Sequence, residues 1–547
     1  MKNLLLITLL FSSIILFGQG NDLRMEIEID HTTDQYFVFP TGEAGLITFH
    51  ATDSLIGKKY DRLWQYEKYT TSFIKIWDGE IVIQGGLIFK KQYWDGDMLH
   101  LLFMPEKIRN RQPFQIISFQ AETGEVRSFE GVIPHRMQLN DFSVIKSFAY
   151  IGGETQMGKI EAWGRGIAVS FVFPIFMGVM NYNPDLVLYR IWFNEDKARE
   201  VKFDYYKANS VHSLAPNDPA RSMSVVIQHS PKRKQNKVYV KEYAADKLIK
   251  NLEVNPKSHN RLLTAKIRHL NRNEFLVIGT YGLPYYDQKI WPRVGSWLTR
   301  VPLKDYAQGI YVAKFSYRGQ QFIKYYNFAE FENFFEAYGY KEEKRIKKKA
   351  KRKKKKGKQL VLEVSLLVHE ILEKKDEYVA VAEAYVPVYA QRSRFDPLTG
   401  LVITSNKQEF IGYRYTHAMV AGFDKETGEM KWDNSFPIWN IISEKIQQKV
   451  QVVSEEKDSV TTLVYNKEGY LLSRDIVKGE VISNKQMRPI ETEFMNERIK
   501  SEYNSDIEYW YDNHFLAWGY RKIVDTGEKI FSKDRNKQVF YFYKVSY

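Results

Sequence analysis

The stretch that decides the fold is Gly422-Phe423-Asp424-Lys425-Glu426-Thr427-Gly428-Glu429-Met430-Lys431-Trp432. It reads as a strand, an acidic turn and a second strand ending in tryptophan. Glycine takes a positive φ at no steric cost, so Thr-Gly behind an aspartate closes a tight hairpin. The tripeptide Thr-Gly-Glu recurs at residues 41–43, 123–125 and 526–528. Three of the four copies follow an acidic residue, namely Glu122, Glu426 and Asp525. Thr399-Gly400 behind Asp396-Pro397-Leu398 is a relative.

Working outward, most of the chain reads as short runs of β-branched and aromatic residues between turn signals. Such runs stand at 36–39, 73–77, 81–83, 114–119, 167–173, 186–192 and 223–227. Others stand at 237–243, 275–278, 378–389, 460–465 and 539–545. The count is roughly thirty strands.

The segment 422–432 resembles a blade hairpin of the quinoprotein-like and WD-type β-propellers, where an Asp-x-x-Thr-Gly turn precedes a strand ending in Trp. Residues 121–129 are a poorer copy. The spacings between the four tripeptides are 82, 304 and 99 residues, so no fixed repeat period exists. Trp77-Asp78, Trp94-Asp95 and Trp432-Asp433 occur without any Gly-His dipeptide to start a WD repeat. The resemblance implies radial repetition, which lets many short strands form one body without long exposed edges. The expected fold is all-β: one β-propeller of about seven or eight four-stranded blades over residues 20–547, carrying a helical basic insertion. The run 539–543 is expected to close the ring beside an N-terminal strand. The rival is an outer-membrane barrel, but Lys and Arg interrupt both faces of strands such as 230–241.

Composition narrows the chemistry. The chain has 547 residues, 15% of them aromatic, and no cysteine. Zero Cys excludes disulfides, thiolate zinc sites, Cys nucleophiles and Cys-linked lipid anchors. It also lacks the vicinal Cys pair that quinone-dependent propellers often set beside their cofactor. Residues 1–19 read as a bacterial export signal: Lys2, an apolar run over 4–17, then Gly18-Gln19-Gly20. That run of ~14 residues is short of the ~20 that span a bilayer. The expected address is the periplasm or cell surface, where bulk ATP, NAD(P)H and chromosomal DNA are absent.

Residues 327–358 depart from the strand pattern. Phe328, Phe331, Phe334, Phe335 and Tyr338 share one helical face by spacing, with Asn327 and Glu330 as a capping-box-like start and Gly339 as a break. A charge run over 341–358 then holds thirteen basic and two acidic residues, a net of +11 within a chain total of +14. Its candidate binding residues are Lys347, Lys348, Lys349, Lys351, Arg352, Lys353, Lys354, Lys355 and Lys356. A helix over 341–356 would project ~24 Å. Such a basic projection fits an envelope protein or an anionic envelope surface as partner. Nucleic acid is not expected, because no stacking or base-reading groups lie within the run. An integral membrane protein is not expected either.

No catalytic, cofactor-binding or metal-binding residues emerge. Gly153-Glu154-Thr155-Gln156-Met157-Gly158-Lys159 has phosphate-loop spacing but ends in Ile160, where Ser or Thr is required. His369-Glu370 lacks the second His of a zinc-protease motif, and His259 and His269 have no partner in pattern. Asp78-Gly79-Glu80 and Asp95-Gly96-Asp97 each follow a Trp and read as turn chemistry. The resulting expectation is a non-enzymatic exported propeller that binds or scaffolds in the bacterial cell envelope, with no cofactor. The alternative is a propeller enzyme, glycan-active or quinone-type, with its site in the central channel.

Overall fold

A computed structural model describes residues 23–29, 35–57, 60–155, 185–193, 197–201, 209–232, 235–282, 307–336, 339–356, 360, 365–395, 402–454, 460–492, 494, 496–527 and 536–547. Its antiparallel strands form eight sheets in chain order, the blades of an eight-bladed β-propeller. Blade 1 is Tyr36–Pro40, Leu46–Ile56, Asp61–Tyr69 and Lys75–Ile83, from the inner to the outer strand. Blade 2 spans 87–133, blade 3 spans 137–201 and blade 4 spans 209–254. Blades 5, 6 and 7 span 261–327, 365–437 and 451–489. Blade 8 is Glu497–Tyr511, His514–Asp525 and Asn536–Ser546, completed by Leu23–Glu28 as its outer strand. The export signal expected at 1–19, the strand expected at 167–173 and Tyr338 of the expected helical face lie outside the described residues.

Alternation at period two explains why the sheets stack. In blade 2, Leu101, Phe103, Ile117 and Phe119 face blade 1, whereas Leu102, Met104, Phe114 and Ile116 face blade 3. Each remaining seam has a buried apolar cluster of its own, so eight seams carry eight cores. The eighth joins Val38, Leu46 and Tyr69 of blade 1 to Trp510, Leu516, Phe540 and Phe542 of blade 8. Across that seam the Trp510 indole N–H donates to the Gly45 carbonyl at 2.8 Å. The Tyr36 backbone N–H donates to the Tyr520 hydroxyl at 2.6 Å.

Ring closure follows the expectation. Leu23 pairs with Lys544 and Glu28 with Val539, so the two ends of the chain share one blade. The Thr-Gly turns have a use that the sequence did not reveal. Gly124 and Gly428 close the hairpins between third and outer strands of blades 2 and 6, with φ of 74° and 69°. A β-carbon on Gly124 would meet the Trp77 ring of blade 1, and one on Gly428 the Phe322 ring of blade 5. The turn glycine of one blade therefore seats an aromatic from the preceding blade. Asp424 accepts from the backbone N–H groups of Glu426 and Thr427 at 3.0 and 2.9 Å, which holds its carboxyl well below the usual range.

The segment after blade 5 is not the helix that its spacing predicted. Only Phe328–Glu330 forms a 3₁₀ turn, and the backbone of Phe331 is extended. Phe328, Phe331, Phe334 and Phe335 are nevertheless all buried. They form a wedge in the seam between blades 5 and 6. Blade 6 faces that seam with Ala380, Ala382, Ala384 and Ala421, whose small side chains leave the room that the rings fill. The aromatic pattern reports burial in a gap, and a turn that follows the gap wins over helical spacing.

Two outcomes test this architecture. A chain beginning at residue 35 leaves the strand 536–546 as a bare edge; a lower melting temperature and concentration-dependent light scattering are expected. Phe334→Ala is expected to cost about 3–5 kcal/mol in urea unfolding, against about 0.5 kcal/mol or less for exposed Tyr340→Ala.

Candidate functional site

Propeller topology sorts the connections onto two faces. Links between consecutive blades and turns between second and third strands share one face, here called the upper face. Three features meet there: the basic helix, the long hairpin of blade 6 and the link between blades 6 and 7. The basic helix, Tyr340–Lys354, lies in the link from blade 5 to blade 6. The long hairpin, Glu377–Phe395 and Val402–Asp424, runs well past the paired length of its blade. Tyr385, Tyr389, Phe410 and Tyr413 form a ladder of edge-on rings along it. The link between blades 6 and 7 adds Ile442–Ser443 to its flank.

The helix is not a free projection over its first half. Ile346 packs against the core of the seam between blades 5 and 6. The Lys347 ammonium donates to the Glu332 carbonyl at 2.6 Å and to the Glu343 carboxylate at 2.5 Å. The loop beneath is anchored in turn. The Asp433 carboxylate accepts from the Glu332 and Asn333 backbone N–H groups at 2.9 and 2.8 Å. Burial still pushes the Asp433 carboxyl up from its ordinary range. The Asn333 carbonyl accepts from the Ser435 hydroxyl at 2.8 Å, and the Arg474 guanidinium donates to the Ser435 carbonyl.

Of the nine basic residues singled out from sequence, Lys347 thus positions the helix. Lys353 is half-buried, and the side chain of Lys354 lies outside the described residues. Lys348, Lys349, Lys351 and Arg352 are exposed on the helix, and Lys355 and Lys356 are exposed in the turn after it. These six form no ion pair with any described residue.

A cavity of about 1530 Å³ opens on the same face, between blades 1, 2, 7 and 8. Its lining includes Lys90, Gln92, Lys445, Lys449, Asp506 and Glu508. Asp506 and Glu508 sit two apart on the inner strand of blade 8, hence on one face of it. Lys449 donates to Asp506 at 3.0 Å. Burial, reinforced by the charge of Asp506, pushes the Glu508 carboxyl up to about 8 against the opposing effects of Gln92 and Lys449. Glu508 is therefore a neutral acid at pH 7. Burial and the charge of Lys445 lower the Lys90 ammonium. None of these six was singled out from sequence, because no local motif marks the inner strand of a blade or the link that leads into one.

Elsewhere the inner ring uses its charges to join blades. Lys91 of blade 2 donates to Asp141 of blade 3 at 3.2 Å. The second oxygen of Asp141 accepts from the Leu214 backbone N–H of blade 4 at 2.8 Å. Lys266 of blade 5 donates to Glu370 of blade 6 at 2.9 Å. His369 bonds the buried Glu383 at 2.8 Å, and the same Glu383 oxygen accepts from the Lys449 and Val450 backbone N–H groups at 2.9 and 2.8 Å.

The other motif residues have structural placements. Gly153, Glu154 and Thr155 lie on the strand Phe148–Thr155, and 156–160 lie outside the described residues. Asp95 accepts from the Asp97 and Met98 backbone N–H groups at 2.9 and 2.7 Å, as a turn residue does. Asp78, Gly79 and Glu80 lie on the outer strand of blade 1. His269 is lowered to about 4 by burial beside Phe275, and His259 stands in a turn. Among the described residues no three His, Asp or Glu side chains gather where a metal ion would be held. No described helix is long and apolar enough to cross a membrane.

No protein-family model matches the chain, and no curated protein does. Among solved structures it is similar to a prolyl endopeptidase from a study of two such enzymes, at 8% identity and a TM-score of 0.34. That match covers 91% of this chain and 54% of that one. It is also similar to cobalt-substituted Synechocystis ACO, at 7% identity over 54% of this chain and 64% of that chain, with a TM-score of 0.29. An ACO/RPE65 chimera matches at 6% identity over 54% of this chain and 60% of that chain, with a TM-score of 0.29. The chain thus spans less than two thirds of the length of each of these structures.

Glu508 makes a signed prediction. The unfolded carboxyl ionises near 4.5, whereas the folded one keeps its proton to about 8. The folded state binds the extra proton between those values, so this group's contribution to stability falls as pH rises across them. Glu508→Gln is expected to raise the melting temperature at pH 8 relative to wild type. The gain is expected to shrink towards zero near pH 4 in thermal scans.

Proposed function

We propose that this chain is an exported, non-enzymatic propeller of the bacterial cell envelope that docks on an anionic envelope surface through its basic helix. The observation that carries this reading is the exposed cationic set Lys348, Lys349, Lys351, Arg352, Lys355 and Lys356, free of ion pairs with described residues on a helix that is itself anchored. A solvated tail has no need of an aromatic wedge, a buried carboxylate and a lysine clamp to fix its base. The anchor gives the charge a fixed place on the upper face. Charge pairing across the inner ring supports a scaffold, since Asp141, Glu370 and Asp506 each accept from a lysine of another blade or link.

The second reading, a glycan-active enzyme, is favoured by one observation: neutral Glu508 stands beside Asp506 in an open cavity. It ranks second because Asp506 is held by Lys449.

Vesicle sedimentation tests the first reading. Each basic residue near an anionic bilayer contributes about 1 kcal/mol. Wild type is expected to bind phosphatidylglycerol-containing vesicles at low salt and to release as ionic strength rises. Replacing the six cations by Gln is expected to weaken binding by about 100-fold or more, while Lys347 is left in place to keep the helix anchored. Equal binding by wild type and the six-fold variant would overturn the reading.

A further inference from the structure

The long hairpin of blade 6 forms an arm on the upper face that the basic helix leaves unexplained. Its strands outrun their neighbours. The inner strand of the blade ends its pairing at Tyr385, and the flanking link ends its pairing at Tyr413. From there out to the pair Phe395 and Val402, the two strands bond only to each other among the described residues. A two-stranded ribbon buries little apolar surface by itself. This one carries rings: Tyr385 meets Tyr413 at 5.5 Å, Tyr413 meets Phe410 at 4.9 Å, and Phe410 meets Tyr389 at 5.7 Å. Tyr389 and Phe410 are nevertheless exposed, and so is Ile411, which the register skips as a bulge.

Exposed Ile442 of the link extends the patch, since a β-carbon on Gly412 of the arm would stand 3.0 Å from its Cγ2. Scattered apolar side chains on a surface are ordinary, whereas contiguous ones mark a binding face. The exposed charges described beside them, Glu409 and Arg414, are one of each sign, so the patch itself brings no net charge. The charge stands next door. Phe334, in the loop beneath the basic helix, meets the His417 ring at 4.9 Å, and His417 lies two residues from Tyr415 at the root of the arm. The Tyr415 hydroxyl donates to the Gln447 carbonyl at 2.6 Å and accepts from the Gln447 backbone N–H at 2.9 Å, which ties the link to the same root. Blade 6 thus presents a cationic helix and an apolar arm from one base.

Stable docking on a membrane takes two signals, one apolar and one polybasic. A strand added by another chain would use the bare edges of the arm and leave the cations idle, whereas an anionic bilayer uses the cations and the rings together. We propose that the arm of blade 6 enters the headgroup layer of an anionic bilayer through Tyr389, Phe410 and Ile411, beside the basic helix. This inference rests on the anionic-surface reading above and narrows that surface to lipid.

The arm also sets the depth. Its unpaired backbone groups cannot enter hydrocarbon, where nothing satisfies them. The headgroup layer is hydrated, and amphipathic aromatic rings settle there. Docking is therefore shallow, with the helix holding the charged surface and the arm supplying a contact that salt does not screen.

The chain has no cysteine, so one introduced thiol can carry an environment-sensitive nitrobenzoxadiazole dye on the full protein. Ile411→Cys places the dye on the arm. Tyr317→Cys places it on an exposed turn between the third and outer strands of blade 5, on the opposite face. With phosphatidylglycerol-containing vesicles, emission at 411 is expected to rise and shift to the blue, and emission at 317 to stay unchanged. In vesicle sedimentation at about 0.5 M salt, where the helix is screened, Tyr389→Ser with Phe410→Ser and Ile411→Ser is expected to weaken binding at least about tenfold. Equal dye responses at 411 and 317, or equal sedimentation of wild type and this three-fold variant at high salt, would each overturn the proposal. A dye response at 411 to protein concentration without vesicles, with a dimer that the three-fold variant lacks, would assign the arm to a second copy and overturn it as well. Should the three-fold variant prove unstable, the dye at 411 decides. A six-fold helix variant that binds like wild type ends the charge reading alone and leaves the 411 readout in force.

Discussion

The constraint on which everything else depends is that each blade is apolar on both faces and must be covered on both. A single sheet of this kind has nowhere to hide its second face. Eight of them hide all faces only by closing a ring, and the eight seam clusters are the result. Closure makes the last seam as important as the first. That explains why the strand 23–28 crosses to the blade formed by residues 497–546, and why Trp510 and Tyr520 reach into blade 1 with hydrogen bonds.

The seams also explain the one large departure from regularity. Blade 6 turns alanines toward blade 5, so its sheet alone cannot fill the gap. The four phenylalanines after blade 5 fill it, and their loop is then fixed by Asp433, Ser435 and Arg474. A helix that is almost wholly cationic gains a rigid base from this arrangement. Packing energy in a seam is thereby converted into a defined position for surface charge, which gives the helix an orientation relative to the cavity face.

The blade hairpin at 422–432, the strand runs and the turn signals made the propeller legible, because a period of two and a Thr-Gly turn are local properties. The helix at 340–354 was legible for the same reason. The segment 328–336 was misread because helical spacing and burial in an irregular gap leave the same apolar pattern. The cavity was illegible. Lys90, Gln92, Lys445 and Glu508 are scattered over more than four hundred residues and sit in unremarkable strand and linker contexts. The charge balance had one sharper message: with 341–358 removed, the remainder carries only +3.

The sequence by itself determined the strands, the turns, the all-β class, the absence of thiol chemistry and the concentration of charge in one segment. Each rests on residue type and near-neighbour spacing. The tertiary structure alone decided the blade count, the use of turn glycines as seats for aromatics of the preceding blade, and the role of Lys347 as an anchor. It alone decided that Lys90, Lys445, Asp506 and Glu508, far apart in the chain, line one cavity. These depend on which blade faces which, and that is fixed by ring closure, a property of the whole chain that no window of sequence contains.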